Sequence, residues 1–398
     1  MPTKMPQMNA ATSTPEARIE CVRRIATTVA RPAAALVDRD ARFPRETIDA
    51  LKEARMLSAH VPVEHGGFGA DVVELAQMCE LLGQECASSA MVFAMHQIQV
   101  ACVVHHGSSS HFFRAYQEEL ARSQRLIASV TSEAGVGGSV RTSISPIQRD
   151  GDACTLRKDG TVVSYGDQAD DLLVTVRRSP EAAASDQALV LVRKGQCTME
   201  ITGTWDTFGM RGTSSPGYIV IARFAEEQIV PAPFAEISSH TMLPFAHVLW
   251  GSLWLGIAND AVARARAYVR GVARQMPGQT PPSALRLSEA SSQLQMMRAL
   301  VHDAARRLGR AMAAEDGEDL ASVGFAIAMN DLKLSASQMV VEIVTRALRI
   351  CGTAGYRNDH KLSVTRHLRD AHSAALMISN DRIHSGSAAL HLVYKDEG

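Results

Sequence analysis

Residues 126–138 read Leu126-Ile-Ala-Ser-Val-Thr-Ser-Glu-Ala-Gly-Val-Gly-Gly138, and the pattern of the chain changes at this stretch. Before it, from Pro15 onward, apolar residues recur at helical spacing. After it, short runs rich in β-branched residues alternate with Asp-Gly pairs of the kind that form hairpin turns. The runs lie at 126–130, 161–163, 172–176, 188–192 and 218–221, and the Asp-Gly pairs at 150–151 and 159–160. The sequence therefore predicts a helical region followed by a β domain.

Helical periodicity returns after Pro233 and continues almost to the end of the chain. It predicts four long helices with short connections, near 243–274, 283–314, 320–350 and 362–390. We therefore expect an α+β protein that is mainly α. Its predicted parts are a disordered start at 1–14, an N-terminal helical domain at 15–125, a central β-barrel or sandwich domain at 126–235, and a C-terminal four-helix bundle at 236–398.

The composition limits the classes of function. The 41 basic and 42 acidic residues are interspersed, so no basic surface for nucleic acid is expected. The seven cysteines are widely spaced and form no Cys-x-x-Cys pair, which indicates a reducing compartment. The chain contains no apolar stretch of the roughly 20 residues that a membrane span needs. It also contains no His/Glu spacing that suits a metal. We expect a cytoplasmic protein that binds neither nucleic acid, membrane nor metal.

Five motifs follow one another along the chain. Val61-Pro-Val-Glu-His-Gly-Gly-Phe-Gly69 matches a Pro-x-x-x-Gly-Gly-x-Gly turn, and residues 129–138 are similar to a Thr-Glu-Pro-x-x-Gly-Ser strand end. Residues 205–215 contain Gly-Met-Arg-x-Thr, residues 352–356 read Gly-Thr-Ala-Gly-Tyr, and residues 367–371 contain Arg-Asp-Ala. In this order, the motifs resemble those of the acyl-CoA dehydrogenase superfamily of flavoproteins, across nearly the whole chain.

The resemblance implies a flavin cofactor, FAD with FMN as the alternative, and a homodimer or homotetramer. It places exposed backbone N–H groups at the flavin and its phosphates. It also places Ser164 and Tyr165 where dehydrogenases carry Trp-Ile-Thr over the flavin ring. It also implies an arginine that reaches FAD in the neighbouring protomer, although the aromatic residue of that motif is missing here. The implied cofactor-binding residues are Thr131, Ser132, Ser164, Tyr165, Arg274, Gly352 and Thr353.

The catalytic carboxylate of the family is missing. In the family's dehydrogenases a glutamate removes the α-proton of a thioester while the flavin takes the β-hydride. One family position for this base corresponds to Ile378, nine residues after the arginine of Arg-Asp-Ala, and the other corresponds to Ala246. The remaining candidates are His247 and Asp381 near these positions, and His96, on a helix that contributes a histidine near the flavin in the family's monooxygenases. The alternative for all three is a structural role in the core or in an ion pair.

Three hypotheses for the function follow from the resemblance. The first is an FAD-dependent oxidoreductase that acts on an acyl thioester of coenzyme A or of a carrier protein, with an electron-transfer flavoprotein as partner. The second is a two-component monooxygenase that uses O2 and flavin from a separate reductase, which the small Ser164 in place of a bulky tryptophan favours. The third is a catalytically inert homologue that acts as a binding partner. The identity of the small-molecule substrate depends on pocket shape that a sequence does not display.

Overall fold

The computed structural model describes residues 14–137, 139–314 and 318–395. Helices fill both ends of this described part, and its strands lie between them, from Ile127 to Ala225. This order confirms the predicted mainly α fold with a central β region. Of the predicted disordered start, residues 1–13 lie outside the described residues, and Thr14 caps the first helix.

The N-terminal region contains helices α1 (Pro15–Ile25), α2 (Arg31–Arg39), α3 (Arg45–Glu53), α4 (Val72–Glu85), α5 (Ala87–Gly107) and α6 (His111–Ser123). Helix α1 begins where the side chain of Thr14 accepts the N–H of Ala17 at 3.3 Å and Pro15 needs no N–H partner. Helix α5 is buried on nearly all sides, which explains why its sequence has little amphipathic pattern. It is the central helix of this region.

The β region contains strands β1 (Ile127–Val130), β2 (Gln148–Asp150), β3 (Ala153–Gly160), β4 (Asp171–Arg177), β5 (Gln187–Arg193), β6 (Cys197–Ile201) and β7 (Tyr218–Ala225). One sheet has the order β1-β4-β5, in which β1 and β4 are parallel and β4 and β5 antiparallel. The other is antiparallel, with the order β2-β3-β7-β6. Because β1 and β4 are parallel, their carboxyl ends lie at the same edge of this sheet.

The turn predictions for this region are correct in part. The Asp-Gly pair at 150–151 joins β2 and β3, with Gly151 at φ +60°. The pair at 159–160 lies instead at the end of β3, where it is paired with β7, so that prediction is wrong. Residues 161–163 form no strand, and the short edge strand β6 was not predicted because most of its residues are exposed or half-buried.

The C-terminal region contains helices α7 (Phe234–Ile237), α8 (Leu243–Gln275), α9 (Pro282–Ala313), α10 (Glu318–Ala321), α11 (Val323–Cys351), α12 (Thr353–Tyr356), α13 (Thr365–His372) and α14 (Asn380–His391). Helices α8, α9 and α11 correspond to three of the four predicted bundle helices. The fourth, predicted near 362–390, is wrong as a single helix, because residues 373–379 interrupt it and Ile378 has φ +49°. Apolar residues continue through the break, so periodicity alone does not reveal it.

Helix α4 packs closely on α8 through two glycines. A Cβ added to Gly83 would collide with the backbone of Leu253, and a Cβ added to Gly256 would collide with the backbone of residues 80–84. This close approach requires residues without side chains at both positions. It fixes the N-terminal region against the first half of α8, where residues 244–258 are all buried.

Two helical segments are apolar and long enough to cross a membrane by length and composition, Ala87–Gly107 and a window within Phe234–Gln275. The prediction that no such stretch exists is therefore wrong by that criterion. The two windows are 89% and 94% buried inside the fold. In the described structure they are core helices, since their apolar surfaces are covered by protein.

Candidate active site

Thr131 and Ser132 follow β1 and are half-buried. Among the described residues, no acceptor pairs with their backbone N–H groups. The hydroxyl of Thr131 hydrogen-bonds to that of Ser129 at 2.7 Å, and Ser132 Oγ accepts the N–H of Val162 at 2.9 Å and donates to its carbonyl oxygen at 2.8 Å. Two free N–H groups on a turn held in this way can bind an oxygen or nitrogen acceptor of a ligand.

Glu133, the next residue, fixes this turn through the contacts of its buried side chain. Its buried carboxylate accepts hydrogen bonds from Ser143 Oγ at 2.7 Å and Ser145 Oγ at 2.6 Å, and Lys158 Nζ lies 3.4 Å away. Lys158 is also fully buried and donates to Thr175 Oγ1 at 2.9 Å. Burial lowers the pKa of Lys158 to about 8. This ion pair attaches the end of β1 to the second sheet.

Ser164 and Tyr165 lie beside this turn and are buried. Tyr165 Oη donates to the carbonyl oxygen of Ile127 at 3.0 Å, and its N–H donates to that of Thr213 at 2.9 Å. The phenol of Tyr165 is therefore occupied inside the protein, and the predicted contact of Tyr165 with a cofactor stays a prediction. Ser164 Oγ accepts from Ser215 Oγ at 2.8 Å and keeps its own proton to donate.

A series of polar contacts joins this part of the site to the C-terminal region. The hydroxyls of Ser215 and Thr213 lie 2.8 Å apart, and Thr213 Oγ1 donates to the carbonyl oxygen of Met210 at 2.9 Å. The N–H of Met210 donates to Asp370 Oδ1 at 2.7 Å. Burial raises the pKa of Asp370 to about 6. Asp370 lies on α13, directly before the break at 373–379.

A buried lysine holds that break. Lys333 on α11 is fully buried and donates to the carbonyl oxygen of Ile378 and to Asn380 Oδ1, both at 2.6 Å. Asn380 Nδ2 donates in turn to Ser337 Oγ at 3.0 Å. No carboxylate of the described residues forms an ion pair with Lys333, and burial lowers the pKa of its ammonium group to about 8. We call Lys333, Ser337, Ile378 and Asn380 the Lys333 cluster.

His247 lies on α8, next to the buried Ala246. Its Nδ1 lies 3.0 Å from the carbonyl oxygen of Met329, so Nδ1 carries the proton. Its Nε2 is buried and has no partner among the described residues. Burial lowers the pKa of His247 to about 4, and the charge of Lys333 acts in the same direction. At neutral pH this histidine therefore offers an uncharged nitrogen with a free lone pair.

Asp381 is exposed in the first turn of α14 and forms no ion pair with a described residue. Arg369, one of its predicted alternative partners, is paired instead with Asp38. The structure does not bury Asp381 with the Lys333 cluster. Asn380, its neighbour, is the residue that contacts Lys333.

His96 is fully buried on α5, and both of its ring nitrogens contact backbone groups. The N–H of Ile127 donates to Nδ1 at 3.1 Å, so Nε2 carries the proton and donates to the carbonyl oxygen of Leu57 at 2.7 Å. Burial lowers the pKa of His96 to about 4. In this arrangement His96 has no free nitrogen for a flavin or a substrate, and it ties α5 to β1.

The remaining predicted residues lie elsewhere. The N–H of Gly352 donates to the carbonyl oxygen of Leu348 at 2.8 Å and completes the end of α11, so the prediction of a free N–H at Gly352 is corrected. Thr353 is exposed in α12, and Arg274 is exposed in the last turn of α8 without an ion pair to a described residue. The predicted contact of Thr353 with the cofactor, and that of Arg274 with the cofactor of a neighbouring protomer, stay predictions.

Lys333 is the main site residue that the sequence analysis missed. It lies at helical spacing with Met329, Ala336 and Val340, which are all buried. A charged residue on the apolar face of a helix is rarely buried without a specific partner. This mismatch is the signal that points to Lys333 in the sequence.

The chain matches the acyl-CoA dehydrogenase N-terminal domain over residues 12–123 and the acyl-CoA dehydrogenase C-terminal domain over residues 239–385. It is 24% identical over 389 residues to cyclohex-1-ene-1-carbonyl-CoA dehydrogenase of Syntrophus aciditrophicus, covering 94% of this chain and 89% of the relative. It is 25% identical over 356 residues to the probable acyl-CoA dehydrogenase FadE25 of Mycobacterium tuberculosis, covering 88% of each chain. FMN-bound TdsC from Paenibacillus sp. A11-2 is similar in structure, with a TM-score of 0.82 at 18% identity over 95% of this chain and 97% of that one.

Proposed function

The chain belongs to the acyl-CoA dehydrogenase family, and on that premise we propose that it is a flavin-dependent oxidoreductase that oxidises an acyl thioester without a glutamate base. The observation that carries the proposal is the pair formed by the free Nε2 of His247 and the charge of Lys333, next to the family positions Ala246 and Ile378. Coenzyme A or the phosphopantetheine arm of a carrier protein is the proposed carrier of the acyl group.

The residues at the end of β1 fit a flavin. The backbone N–H groups of Thr131 and Ser132 need an acceptor, and the ring and phosphates of a flavin provide several. Ser164 adds a hydroxyl donor at a position without a bulky side chain. When bound, the flavin takes the two electrons of the oxidation as a hydride. FAD is the proposed form, and FMN, which TdsC binds, is the alternative.

We assign the proton transfer to His247. Oxidation at the α and β carbons of a thioester releases the α-proton, and the neutral Nε2 of His247 can accept it. The hydrogen bond from Nδ1 to Met329 fixes the tautomer that leaves Nε2 free. The charge of Lys333 opposes protonation of His247, but it stabilises the negative charge that develops on the thioester in the transition state. The products are an enoyl thioester and reduced flavin.

Anaerobic mixing of the flavin-loaded protein with acyl thioesters tests the proposal. Straight-chain and ring-bearing acyl groups should be compared, because the substrate is not fixed by the fold. Loss of the visible absorption of the flavin, with formation of one enoyl thioester per flavin, is the expected result. A flavin that dithionite reduces but that no thioester reduces would contradict oxidation of a thioester.

The second candidate is a monooxygenase that uses O2 and flavin from a separate reductase. Two observations favour it: the absence of a carboxylate at both family positions, and the structural similarity to TdsC, a dibenzothiophene monooxygenase. Mixing the protein, loaded with reduced flavin, with O2 distinguishes the candidates. A delayed return of the oxidised flavin spectrum, compared with free reduced flavin, would favour the monooxygenase. Return at the rate of free flavin would argue against it.

We propose a cytoplasmic homodimer or homotetramer, with an electron-transfer flavoprotein or a flavin reductase as electron partner. Several large apolar side chains are exposed in the described chain, including Tyr356 at 73%, Leu376 at 79% and Leu392 at 88%. A second copy of the chain would cover such surface. Light scattering of the flavin-loaded protein tests the assembly, and a monomer would contradict it.

A further inference from the structure

An open cavity of about 780 Å³ lies where the three regions of the chain meet. Helix α2, the segment between β6 and β7, helix α8 and residues 358–369 contribute its walls. None of its lining residues belongs to the Lys333 cluster or to the end of β1. The cavity is therefore separate from the candidate active site, and its volume lies within the range of about 300–1,000 Å³ that is typical of small-molecule sites.

The lining of the cavity is cationic, and five of its seven basic side chains pair with carboxylates: Arg31, Arg39, Arg211, Arg264 and Arg369. Seven of its side chains are arginine or lysine, and two, Asp38 and Glu85, are carboxylates. Both carboxylates are already neutralised, Asp38 by two hydrogen bonds from Arg369 and Glu85 by two from Arg31, at 2.5 and 2.6 Å. An excess of positive charge in a concave, partly enclosed space attracts an anion.

Two of the cations have no carboxylate partner. Neither Lys361 nor Arg366 forms an ion pair with any described residue, and Arg366 donates only to the carbonyl oxygen of Glu85, at 2.9 Å. Arg264 holds the segment that carries them, because its Nη1 donates to the carbonyl oxygens of Lys361 at 3.2 Å and Ser363 at 2.9 Å. The ammonium group of Lys361 and the remaining N–H donors of Arg366 are thus free on a fixed backbone, as a phosphate site requires.

An aromatic ring completes the site. Phe208 lines the cavity and is 63% exposed, and its described ring contact is edge-on, with His372. An exposed aromatic face beside free arginine and lysine donors is the combination that binds a base together with its phosphates. We propose that this cavity binds a phosphorylated nucleotide, with its phosphates at Lys361 and Arg366 and its base against Phe208.

Calorimetric titration of the flavin-loaded protein with ADP tests the proposal, since bound flavin blocks the flavin site. The double variant Lys361→Gln/Arg366→Gln should bind ADP at least roughly tenfold more weakly, because it loses charge-assisted hydrogen bonds. Phe208→Ala should weaken the binding of ADP and leave the binding of inorganic phosphate unchanged. The control Arg306→Gln/Arg310→Gln removes the same charge from exposed positions on α9 and should bind like the parent protein.

Three results would overturn the proposal. The first is no binding of ADP at millimolar concentration. The second is equal loss of affinity in the Lys361/Arg366 variant and in the α9 control, which would indicate a general effect of net charge. The third is equal affinity for ADP and inorganic phosphate, unchanged by Phe208→Ala, which would show that the base is not recognised. Thermal unfolding of each variant checks that the fold is retained, and Lys361→Gln alone, at an exposed position, serves if the double variant unfolds.

Discussion

The ammonium group of Lys333 donates a hydrogen bond of 2.6 Å to the main-chain oxygen of Ile378, the residue that corresponds to one of the two family positions of the catalytic glutamate. Ile378 has φ +49°, a region that a β-branched residue rarely adopts. Such strain persists only where the surrounding structure enforces it. The buried lysine thus stabilises the unusual turn at the centre of the candidate active site.

Replacement of Lys333 by methionine should lower the free energy of unfolding by about 1–3 kcal/mol, because the Ile378 carbonyl and Asn380 Oδ1 would lose a buried donor. Flavin affinity and turnover should fall as well, since the turn would lose its support. Urea unfolding and flavin titration measure both effects. Lys395→Met, at an exposed position, is the control. Unchanged stability in Lys333→Met would show that the hydrogen bonds do not hold the turn.

The same lysine predicts a dependence of stability on pH. Burial lowers the pKa of Lys333 from 10.5 to about 8, so between these values the unfolded chain binds more protons at this group than the folded protein. The contribution of Lys333 to the free energy of unfolding should therefore rise with pH over this interval and be constant below it. The difference between the parent protein and Lys333→Met, measured from pH 6 to 10, isolates this contribution. A difference that is flat throughout would contradict the shift.

Replacement of His247 by glutamine should slow the reduction of the flavin by a thioester about 10²–10⁴-fold, since the proposed base would be lost. With a pKa of about 4, His247 stays neutral above pH 5, so its protonation should cause no loss of activity between pH 8 and pH 5. Stopped-flow absorbance measures the rate. The exposed His391→Gln is the matched control, and an equal rate in both variants would exclude His247 as the base.

The buried ion pair of Glu133 and Lys158 gives a prediction for stability. Glu133→Gln should cost about 3–5 kcal/mol, because it leaves a buried ammonium group without its counter-charge. Glu133→Gln/Lys158→Met should recover part of this loss. Chemical denaturation measures both, with Asp150→Asn as a control in the exposed pair with Arg223. A double variant that is less stable than Glu133→Gln would contradict the electrostatic explanation.

His96→Ala separates a structural role from a catalytic one. The change leaves the N–H of Ile127 and the carbonyl of Leu57 without their partner, at a cost of about 1–3 kcal/mol for each buried group. The rate of flavin reduction per flavin-loaded molecule should stay the same. A lower rate with unchanged stability would instead assign His96 to the chemistry.

The sequence allowed prediction of the order of helices and strands, because the period of apolar residues differs between them. It also allowed prediction of free N–H groups at Thr131 and Ser132, through a motif. It did not reveal that the N–H of Gly352 is hydrogen-bonded to Leu348, or that Tyr165 is hydrogen-bonded to Ile127 and Thr213. These partners meet only in the folded chain.

The break between α13 and α14 was missed for a related reason. The residues that hold it are Lys333, which contacts Ile378 at a separation of 45 positions, and Ser337, which contacts Asn380 at a separation of 43. The cationic cavity was missed because its residues are dispersed from Arg31 to Arg369 and no single motif groups them. Local patterns do not record contacts of this range.

The left-handed backbone at Ile378 also bears on how readily the chemistry of this scaffold could change. The strain lies in the backbone of the turn. A side chain without a branch at Cβ is accommodated there more easily than isoleucine. Ile378→Glu would therefore add a carboxylate while relieving crowding, with the supporting hydrogen bond from Lys333 to the main chain left in place. The turn is therefore a position where a single replacement would change the set of acids and bases in the site while the architecture stays the same.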